Sequence, residues 1–425
     1  MSLKLYYDPY DINCFRGEPT TNLFGVAYPT PNNWTGYFPS TGSYRTIWTP
    51  NGVQTASIQR YNNNNPGSVC CPSLFTYQYL TGILPSTTYC YSAFYKVVNN
   101  DYGNANFLYR YEYNGGTYLT EGGVWSAANR IPYPGGWYRI FGTFTTQATT
   151  NVLNTFSFTY EYNTDNTQIV TNHQIEAKNH LTNYAGPSGT RGVTVATGGG
   201  LVDLTGNNNN GDLTYGNYVS TTVFHNNSIF FNGTSANNCI RILDANIAAN
   251  LLPTGKSFTI VVWANKIANA TNTSPFLIAY RDGSSNGINL ILYGTGNTST
   301  DFGFIVEKNG GPSLSSRSDA VNTSGWHMYT GVYNNDGMYK NSIVKYYDTT
   351  QIGSRVSSSV ATSAWSKPNP SQGGAIVIGT APNTVNGANS IHNFNGTIGE
   401  IRIYDHALTP DEVSTLYKLG IQKHI

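Results

Sequence analysis

Apolar and polar residues alternate along short stretches of the first half of the chain, and turn-forming residues separate these stretches. The alternating stretches are 89–97, 106–113, 137–144 and 154–162. A period of two places every second side chain on the same face of a β-strand. Strands spaced this closely, with no helical segment between them, predict an antiparallel sandwich or barrel over residues 21–178.

The second half of the chain shows the same pattern. Alternation is strongest at 256–264, 325–333 and 396–404. In the last of these strands Ile401 and Ile403 are predicted to face a core, which places Glu400 on the solvent-exposed face. The sequence therefore predicts a second antiparallel sandwich over residues 193–425, and an all-β fold for the chain.

One helix is predicted near the C-terminus. Thr409 and Glu412 have the spacing of a capping box, with Pro410 at the first helical position. The apolar positions expected to pack against the sandwich are Val413, Leu416 and Tyr417. We expect a helix over 409–419, with Gly420 as its C-terminal cap.

Composition supports the all-β prediction and limits the kinds of partner. Charged residues make up 11% of the chain, against about 25% in typical soluble domains. Tyrosine and glycine are abundant, at 33 and 44 residues. The formal net charge is +1 and no run of Lys or Arg occurs, so nucleic acid is excluded as a partner. No apolar run approaches the ~18 residues of a membrane span, so no membrane association is predicted.

The five cysteines indicate neither a zinc site nor a disulfide framework. They are Cys14, Cys70, Cys71, Cys90 and Cys239. Their number is odd and no C-x-x-C pair occurs. Cys90 lies in an alternating strand, where a small buried side chain is its expected role.

The ends of the first sandwich define two further segments. Residues 1–20 are rich in Tyr and contain Pro, and they predict a short N-terminal arm. The arm either reaches a neighbouring subunit or packs back on its own domain. Residues 179–192 contain a cluster of Gly, Pro and Ser, which predicts a linker between the two sandwiches.

Short pieces of the first sandwich carry a family resemblance. They are 21–23, 34–36, 84–92, 136–144 and 174–178 with 181–184. Together they resemble carbohydrate-binding modules of the galactose-binding-like jelly-roll type, and the last piece is similar to the end of sandwich modules in phage structural proteins. The resemblance implies exposed aromatic side chains that bind sugar rings, and a structural calcium ion. No acidic pair here matches the calcium site of that family.

The second sandwich carries a resemblance along nearly its whole length. The pieces are 203–213, 228–234, 256–264, 325–333 and 394–413. In this order and spacing they resemble the laminin-G-like branch of the concanavalin A-like lectin/glucanase superfamily. The resemblance implies a jelly roll of two packed antiparallel sheets.

Because that superfamily includes glycoside hydrolases, the resemblance raises the possibility of glycosidase activity. Glycoside hydrolysis needs two carboxylates across one cleft, and the hydrolase branch carries them as alternating acids on one strand. No strand of this chain shows that pattern, since Glu307 and Glu400 each stand alone. His327 is expected to be a structural histidine and His406 to face solvent. No other catalytic motif occurs, so we predict no enzymatic activity.

One loop raises the question of a metal ion. Its oxygen-bearing side chains are Asp203, Asn208, Asn209 and Asp212. Laminin-G-like proteins hold calcium at a loop edge, and calcium accepts hard oxygen ligands at mixed spacing. The alternative is a turn in which these side chains accept hydrogen bonds from their own backbone. We prefer the turn, so no cofactor is predicted and calcium stays the alternative.

These features favour a non-enzymatic structural protein of a phage virion, such as a capsid decoration, head fibre or tail-associated protein that displays lectin-like modules. Residues 1–8 lack the apolar core of a secretory signal, which indicates assembly in the host cytoplasm. The expected partners are capsid or tail proteins and surface glycans, in a homo-oligomer that by analogy is a trimer. The polar loops 265–274 and 363–374 suit an outward face. The alternative is a bacterial carbohydrate-binding or adhesion protein.

Overall fold

The computed structural model of the chain describes residues 2–11, 13–24, 40–61, 78–97, 106–124, 129–159, 166–186, 189–192, 194–213, 228–233, 239–242, 251–252, 255–267, 274–281, 287–293, 300–307, 314–335, 341–357, 375–380 and 392–424. Two compact units are present. We call Pro19–Arg191 the inserted module, because it interrupts the other unit in sequence. The split module combines Met1–Glu18 with Gly192–Ile425.

Strands are numbered in chain order, starting with β1 (Leu3–Tyr7) of the split module. The strands of the inserted module are β2 (Thr20–Thr21), β3 (Ser40–Thr49), β4 (Gly52–Tyr61), β5 (Gln78–Thr81), β6 (Thr88–Val97), β7 (Asn106–Asn114), β8 (Thr117–Gly123), β9 (Arg130–Tyr133), β10 (Trp137–Thr145), β11 (Val152–Thr159), β12 (Asn166–Glu176) and β13 (Thr190–Arg191). A short 3-10 turn, Pro134–Gly136, joins β9 to β10.

The described strand pairs of the inserted module are antiparallel and form two larger sheets. One sheet has the order β3-β4-β12-β6-β10-β9 and the other the order β5-β11-β7-β8, while β2 pairs with β13. Both sheets contribute to one core, whose side chains include Leu80, Tyr89, Tyr91, Leu108, Phe144, Leu153 and Val170. The four alternating stretches of the first half correspond to β6, β7, β10 and β11, so their prediction as strands is confirmed for all but residues 160–162, which lie outside the described residues.

The structure differs from the linker expected at 179–192. Within that segment Thr190–Arg191 form β13, which pairs with β2. The side chain of Arg191 is buried and its Nη2 donates a hydrogen bond to the backbone oxygen of Asn183 at 2.7 Å. These contacts make the end of the segment part of the inserted module, which closes at Arg191.

The split module contains β1, a 3-10 turn at Val195–Thr197 and the later strands of the chain. These strands are β14 (Ile229–Asn232), β15 (Ile240–Ile242), β16 (Phe258–Lys266), β17 (Phe276–Arg281), β18 (Gly287–Tyr293), β19 (Thr300–Glu307), β20 (Leu314–Val321), β21 (Trp326–Asn334), β22 (Ser342–Tyr347), β23 (Thr350–Ser357), β24 (Ala375–Ile378) and β25 (Asn395–Tyr404). The chain then enters α1 (Pro410–His424).

Two antiparallel sheets pack face to face in the split module. Their orders are β1-β25-β16-β21-β22-β23, with β14 also paired to β25, and β15-β24-β17-β18-β19-β20. The core between them draws on both sheets and includes Phe231, Phe258, Ile260, Leu290, Phe304, Tyr329, Ile376 and Ile403. The predicted all-β fold, with antiparallel sheets and a helix near the C-terminus, is confirmed.

The N-terminal residues form part of this sandwich instead of a free arm. Strand β1 pairs antiparallel with β25, with Leu5 opposite Ile403 and Tyr7 opposite Ile401. Leu5 and Tyr7 are fully buried in the core, because alternation in residues 3–7 places them on one face of the strand. The expected arm at 1–20 is therefore the edge strand of the split module and the segment that follows it.

Helix α1 begins where the sequence predicts and ends later. The backbone nitrogen of Thr409 donates to Glu412 Oε2 at 2.8 Å, and the backbone nitrogen of Glu412 donates to Thr409 Oγ1 at 3.3 Å, so the capping box is confirmed. The predicted contact residues pack on the outer face of the β16-containing sheet, together with Ile421. Among the described residues, no helix is long and apolar enough to cross a membrane.

Gly420 does not cap the helix, as the sequence suggested, but lies inside it. A Cβ atom at this position would lie 2.4 Å from Trp263 Nε1. Glycine at this position lets the helix backbone approach the indole of the buried Trp263. The helix continues for another turn, to His424, because the residues after Gly420 are also in contact with the sheet.

Candidate functional site

Tyrosines cover the outer face of the sheet β5-β11-β7-β8. On β7 the buried residues Leu108 and Glu112 face the core. Because side chains alternate along a strand, the tyrosines between and beside them lie on the opposite face. They are Tyr109, Tyr111 and Tyr113.

The register of the sheet extends this surface to the neighbouring strands. Asn154 of β11 is opposite Tyr79 of β5 and opposite Tyr111 of β7. Tyr111 is in turn opposite Glu121 of β8. Strands lie ~4.8 Å apart, so this row is about 14 Å long. A parallel row consists of Thr81, Val152, Tyr113 and Tyr118.

We call this surface the tyrosine face, formed by Tyr79, Tyr109, Tyr111, Tyr113, Tyr118, Glu121 and Asn154. Ring centroids lie 5.6 Å apart for Tyr109 and Tyr111, and 6.0 Å apart for Tyr113 and Tyr118. Tyr79 and Tyr118 are 53% and 52% exposed. Exposed apolar side chains that form a contiguous patch, as these rings do, are typical of interaction sites.

Glu121 provides the charge of the tyrosine face. Its carboxylate accepts hydrogen bonds from the hydroxyl groups of Tyr109 and Tyr111. Partial burial and the Glu121 carboxylate raise the pKa of both phenols, which keeps them protonated as donors. A carboxylate offers about four lone-pair positions, so two phenols leave acceptor positions directed to solvent.

Asn154 lies under the tyrosines in the middle of the first row. It is 5% exposed, and its Oδ1 atom has no hydrogen-bond partner within the described part of the chain. A buried acceptor without a partner is unfavourable by about 1–3 kcal/mol. A ligand hydroxyl that reached this atom would satisfy it.

The chemistry of this surface suits a flat ligand that carries hydroxyl groups. Tyrosine combines a rigid apolar ring with a polar hydroxyl, and it provides contact area at a low cost in side-chain entropy. The C–H faces of sugar rings can lie on such rings while their hydroxyl groups bond to Glu121 and to the phenols. Phosphate backbones are unsuited to it, because the described part of the face contains no cation.

Glu400 is not the surface residue that alternation predicted. It is 2% exposed, and Oε2 accepts a hydrogen bond from Arg402 Nη2 at 2.8 Å. Oε1 contacts Lys423 Nζ of α1, and the Lys423 Nζ atom also lies 2.7 Å from Asp8 Oδ2. The prediction was wrong because α1 and β1 cover the outer face of β25. Two cations hold this carboxylate, which suits a structural ion cluster more than an acid or base.

The other residues considered for chemistry are dispersed. His327 Nδ1 lies 3.0 Å from Asp348 Oδ2, and Nε2 lies 3.1 Å from the backbone oxygen of Ser324, a fully bonded arrangement typical of a structural histidine. His406 is half-buried, and its Nδ1 lies 3.3 Å from Asp405 Oδ1. The side chain of Glu307 lies outside the described residues.

The side chains of the Asx-rich loop form hydrogen bonds with the backbone of the loop itself and of β1. Asp203 Oδ1 accepts hydrogen bonds from the backbone nitrogens of Tyr6 and Thr205, each at 3.1 Å, and Oδ2 accepts one from the nitrogen of Asn209 at 3.2 Å. Asn208 adopts a left-handed conformation at φ +59°, which Asn tolerates in turns. This geometry is that of the predicted turn. Among the described residues, no contact brings together Asp203, Asn208, Asn209 and Asp212 as the ligands of one ion would be.

Cys14, Cys90 and Cys239 are free and buried, and burial raises the pKa of the Cys14 thiol to about 12. Cys70 and Cys71 lie outside the described residues. So do 268–273 and 363–374, which contain most of the polar loops considered from the sequence.

Sequence reasoning identified β7 as a strand but not the tyrosine face as a site. The signal was present: tyrosines occupy alternate positions at 109, 111 and 113, on the side opposite Leu108. What was missing was the strand order, which brings Tyr79, Asn154 and Glu121 into the same row.

One comparison with known proteins bears directly on the split module. Residues 243–414 match the family model described as the concanavalin A-like lectin/glucanases superfamily. No curated protein matches the chain.

Several solved structures are similar at low identity. The Streptococcus pneumoniae NanB sialidase K499G mutant is 16% identical, with a TM-score of 0.32, over 44% of this chain and 27% of that chain. The Ruminococcus gnavus IT-sialidase CBM40 bound to α2,3-sialyllactose is 15% identical, with a TM-score of 0.33, over 45% and 95%. The binding domain of Paraclostridial Mosquitocidal Protein 1 is 16% identical, with a TM-score of 0.38, over 51% and 49%.

The NanB match spans about a quarter of that enzyme, 27% of its length, and similarity at this level does not indicate a ligand or an activity for this chain. The resemblance of the inserted module to galactose-binding-like modules stays a prediction. In the split module, residues 243–414 are similar to the concanavalin A-like lectin/glucanases superfamily, as the sequence indicated.

Proposed function

We propose that this chain is a non-enzymatic glycan-binding protein, displayed as a structural protein of a phage virion. The observation that carries the glycan-binding part is the tyrosine face, with its exposed rings and its row from Tyr79 to Glu121. The lectin-like match of residues 243–414 supports the same class of function.

The non-enzymatic part rests on what the candidate acids do. Of the two acids considered for catalysis, Glu400 is held by Arg402 and Lys423. A glycosidase needs one carboxylic acid that is free to donate a proton and a second carboxylate across the cleft. Glu400 is not free for either role, and Glu307 stands alone in the sequence of its strand.

The virion part rests on composition and on the pairing of modules. The chain has 11% charged residues and 33 tyrosines. Its surface is therefore hydrated mainly through amide, hydroxyl and phenol groups instead of ionic ones. The resemblance of 174–184 to the ends of sandwich modules in phage structural proteins points the same way. The expected partners are capsid or tail proteins, and a homo-oligomer would raise the avidity of weak glycan sites by presenting several copies. A bacterial adhesion protein is the alternative.

A glycan array tests the binding function. The wild-type chain, tagged and pre-assembled on a multivalent support, is compared with Tyr79→Ala and Tyr111→Ala. We expect each substitution to reduce binding at least about fivefold, since one stacked ring contributes roughly 1–3 kcal/mol in comparable aromatic platforms. The matched control is Trp48→Ala, because Trp48 is an equally exposed aromatic residue of the other sheet, at 54%. Equal losses in all three variants would contradict the proposed site.

Immunogold labelling of phage particles with an antibody to this chain tests the location. Labelled particles support a virion protein, whereas label confined to bacterial surfaces supports the adhesion protein.

A further inference from the structure

The basic residues of the inserted module are distributed unevenly between its two sheets. They are Arg45, Arg60, Lys96, Arg110, Arg130, Arg139, Lys178 and Arg191. Of these, only Arg110 belongs to the sheet β5-β11-β7-β8. The segments of the module outside the described residues, 25–39, 62–77, 98–105, 125–128, 160–165 and 187–188, contain no Lys or Arg.

The one cation of this sheet faces the core. Arg110 alternates with the outward tyrosines of β7, and its side chain is 13% exposed. Its Nε lies 2.8 Å from Oε1 of the fully buried Glu112, and its guanidinium carbon lies 4.4 Å from the ring centre of Phe144. The Arg110 guanidinium therefore interacts with Glu112 and the Phe144 ring inside the sandwich, and it is not available to a ligand on the outer face.

The anion of the sheet faces outward. Glu121 is exposed on β8 and is held by two neutral phenols, which donate hydrogen bonds but carry no positive charge. With Arg110 on the opposite side of the sheet, the tyrosine face has a fixed negative charge, and the described strands of this sheet place no cation beside it.

From this arrangement we propose that the tyrosine face binds uncharged saccharides and rejects saccharides that carry carboxylate or sulfate groups. The proposal rests on the glycan-binding function proposed above and names its ligand class. Hydroxyl groups of a neutral sugar donate to Glu121, whereas an anionic sugar meets like-charge repulsion across a few ångströms. Arginine and lysine supply the strong charge-assisted hydrogen bonds to carboxylate and sulfate groups, and neither occurs on the outer face of the described strands of this sheet.

Asn154 supplies a second acceptor for the same class of ligand. Tyr79 of β5 is opposite Asn154 in the register and is 53% exposed, and exposed side chains change rotamer within nanoseconds. A rotamer change of Tyr79 is the route we propose for a ligand hydroxyl to reach Asn154 Oδ1. Glu121 and Asn154 Oδ1 are two hydrogen-bond acceptors in one row, which matches a ligand that carries hydroxyl donors.

Saturation-transfer NMR on the full chain tests the proposal. The neutral probes are lactose and cellotetraose, and the anionic probes are 3′-sialyllactose and tetragalacturonate. The wild-type chain should bind at least one neutral probe, and it should bind the matching anionic probe measurably more weakly. Glu121→Gln keeps an acceptor but removes the charge, and it should strengthen binding of the matching anionic probe by roughly two- to fivefold, the size of an exposed charge interaction. Asp411→Asn, an exposed acid of the split module, is the control for net charge.

The outcomes separate this proposal from the function on which it rests. Binding of 3′-sialyllactose as tight as that of lactose, unchanged in Glu121→Gln, would overturn the charge selection and leave glycan binding standing. No binding of any probe would overturn the glycan-binding function, and the selectivity with it. A gain for anionic probes in Asp411→Asn equal to that in Glu121→Gln would also overturn the assignment to this face.

Discussion

Glu400 illustrates what alternation does and does not reveal about a single residue. The pattern correctly places Ile401 and Ile403 in the core, and it correctly places Glu400 on the other side of β25. It carries no information about whether that side is covered. The cover comes from Lys423 and Asp8, which lie 415 positions apart in sequence, so it depends on the complete fold.

Removing the charge of Glu400 should destabilise the split module. In Glu400→Gln the partly buried Arg402 loses its carboxylate partner, and Lys423 keeps only Asp8. Removal of one partner of a buried ion pair lowers the free energy of unfolding by about 3–5 kcal/mol. Because Lys423 is about a third exposed to solvent, we expect a smaller loss here, about 2–3 kcal/mol. Thermal unfolding followed by calorimetry measures the change, with Asp411→Asn as the exposed control. A change below about 0.5 kcal/mol would show that the cluster contributes little.

His424 should make the split module less stable in acid. Its ring is stacked on Trp263 and tilted against Trp326, at centroid distances of 4.6 and 4.5 Å. Burial lowers its pKa from 6.5 to about 4, against the opposing effect of Glu400 and Asp8. The unfolded chain therefore binds the proton first, so stability falls as the pH drops from about 6.5 to about 4.

Unfolding midpoints measured between pH 7 and pH 4 check this. We expect His424→Phe, which keeps an aromatic ring against the two indoles, to flatten the pH dependence of the split module by up to about 2–3 kcal/mol. Parallel pH curves for the wild-type chain and the variant would contradict the assignment to His424.

At the scale of elements, the local signals predict where elements begin better than where they end. The capping box at Thr409 is a contact between residues three positions apart, so it can be identified in the sequence. The end of α1 is decided by packing on a strand more than 150 positions earlier. The same limit applies to the tyrosine face: β7 was predicted from its own alternation, but its neighbours β5, β11 and β8 were not predicted as one sheet.

The close approach of α1 to the sheet gives a prediction that helix propensity alone would reverse. Glycine to alanine within a helix normally stabilises it by about 1 kcal/mol. In Gly420→Ala the new Cβ would lie 2.4 Å from Trp263 Nε1, and both the helix backbone and the buried indole would have to shift. We expect a net loss of about 1–3 kcal/mol, measured by thermal unfolding. Leu419→Ala, at the exposed neighbouring position, should be close to neutral, and a stabilised Gly420→Ala would show that the helix can move away freely.

At the scale of the whole molecule, the order of modules along the chain differs from the one expected. Sequence patterns identified two sandwiches correctly but assigned residues 1–20 to an arm, because pairing of β1 with β25 joins the two ends of the chain and leaves no local signal. An arm that anchors the protein is therefore not available at residues 3–7. Deleting 1–18 should instead expose Ile401 and Ile403 and unfold the split module.

The same arrangement predicts that the inserted module can be removed. Thr20 and Arg191 are directly paired in β2 and β13, so the entry and exit of this module are about 5 Å apart. On the split-module side, Phe15 and Leu201 also form an antiparallel bridge. Both breaks in the chain can therefore be closed by a short turn.

We expect a chain in which a Gly-Ser turn replaces residues 19–191 to fold, since the core of the split module then keeps all of its strands, including β1. Its calorimetric unfolding should match one of the transitions of the full chain to within a few degrees. The matched variant, residues 192–425 without 1–18, lacks β1 and should aggregate or unfold. If both constructions fold equally well, β1 contributes no more to the sandwich than a surface strand, and the division into a split and an inserted module is wrong. If neither folds, the split module depends on the inserted one, and the two cannot be independent folding units.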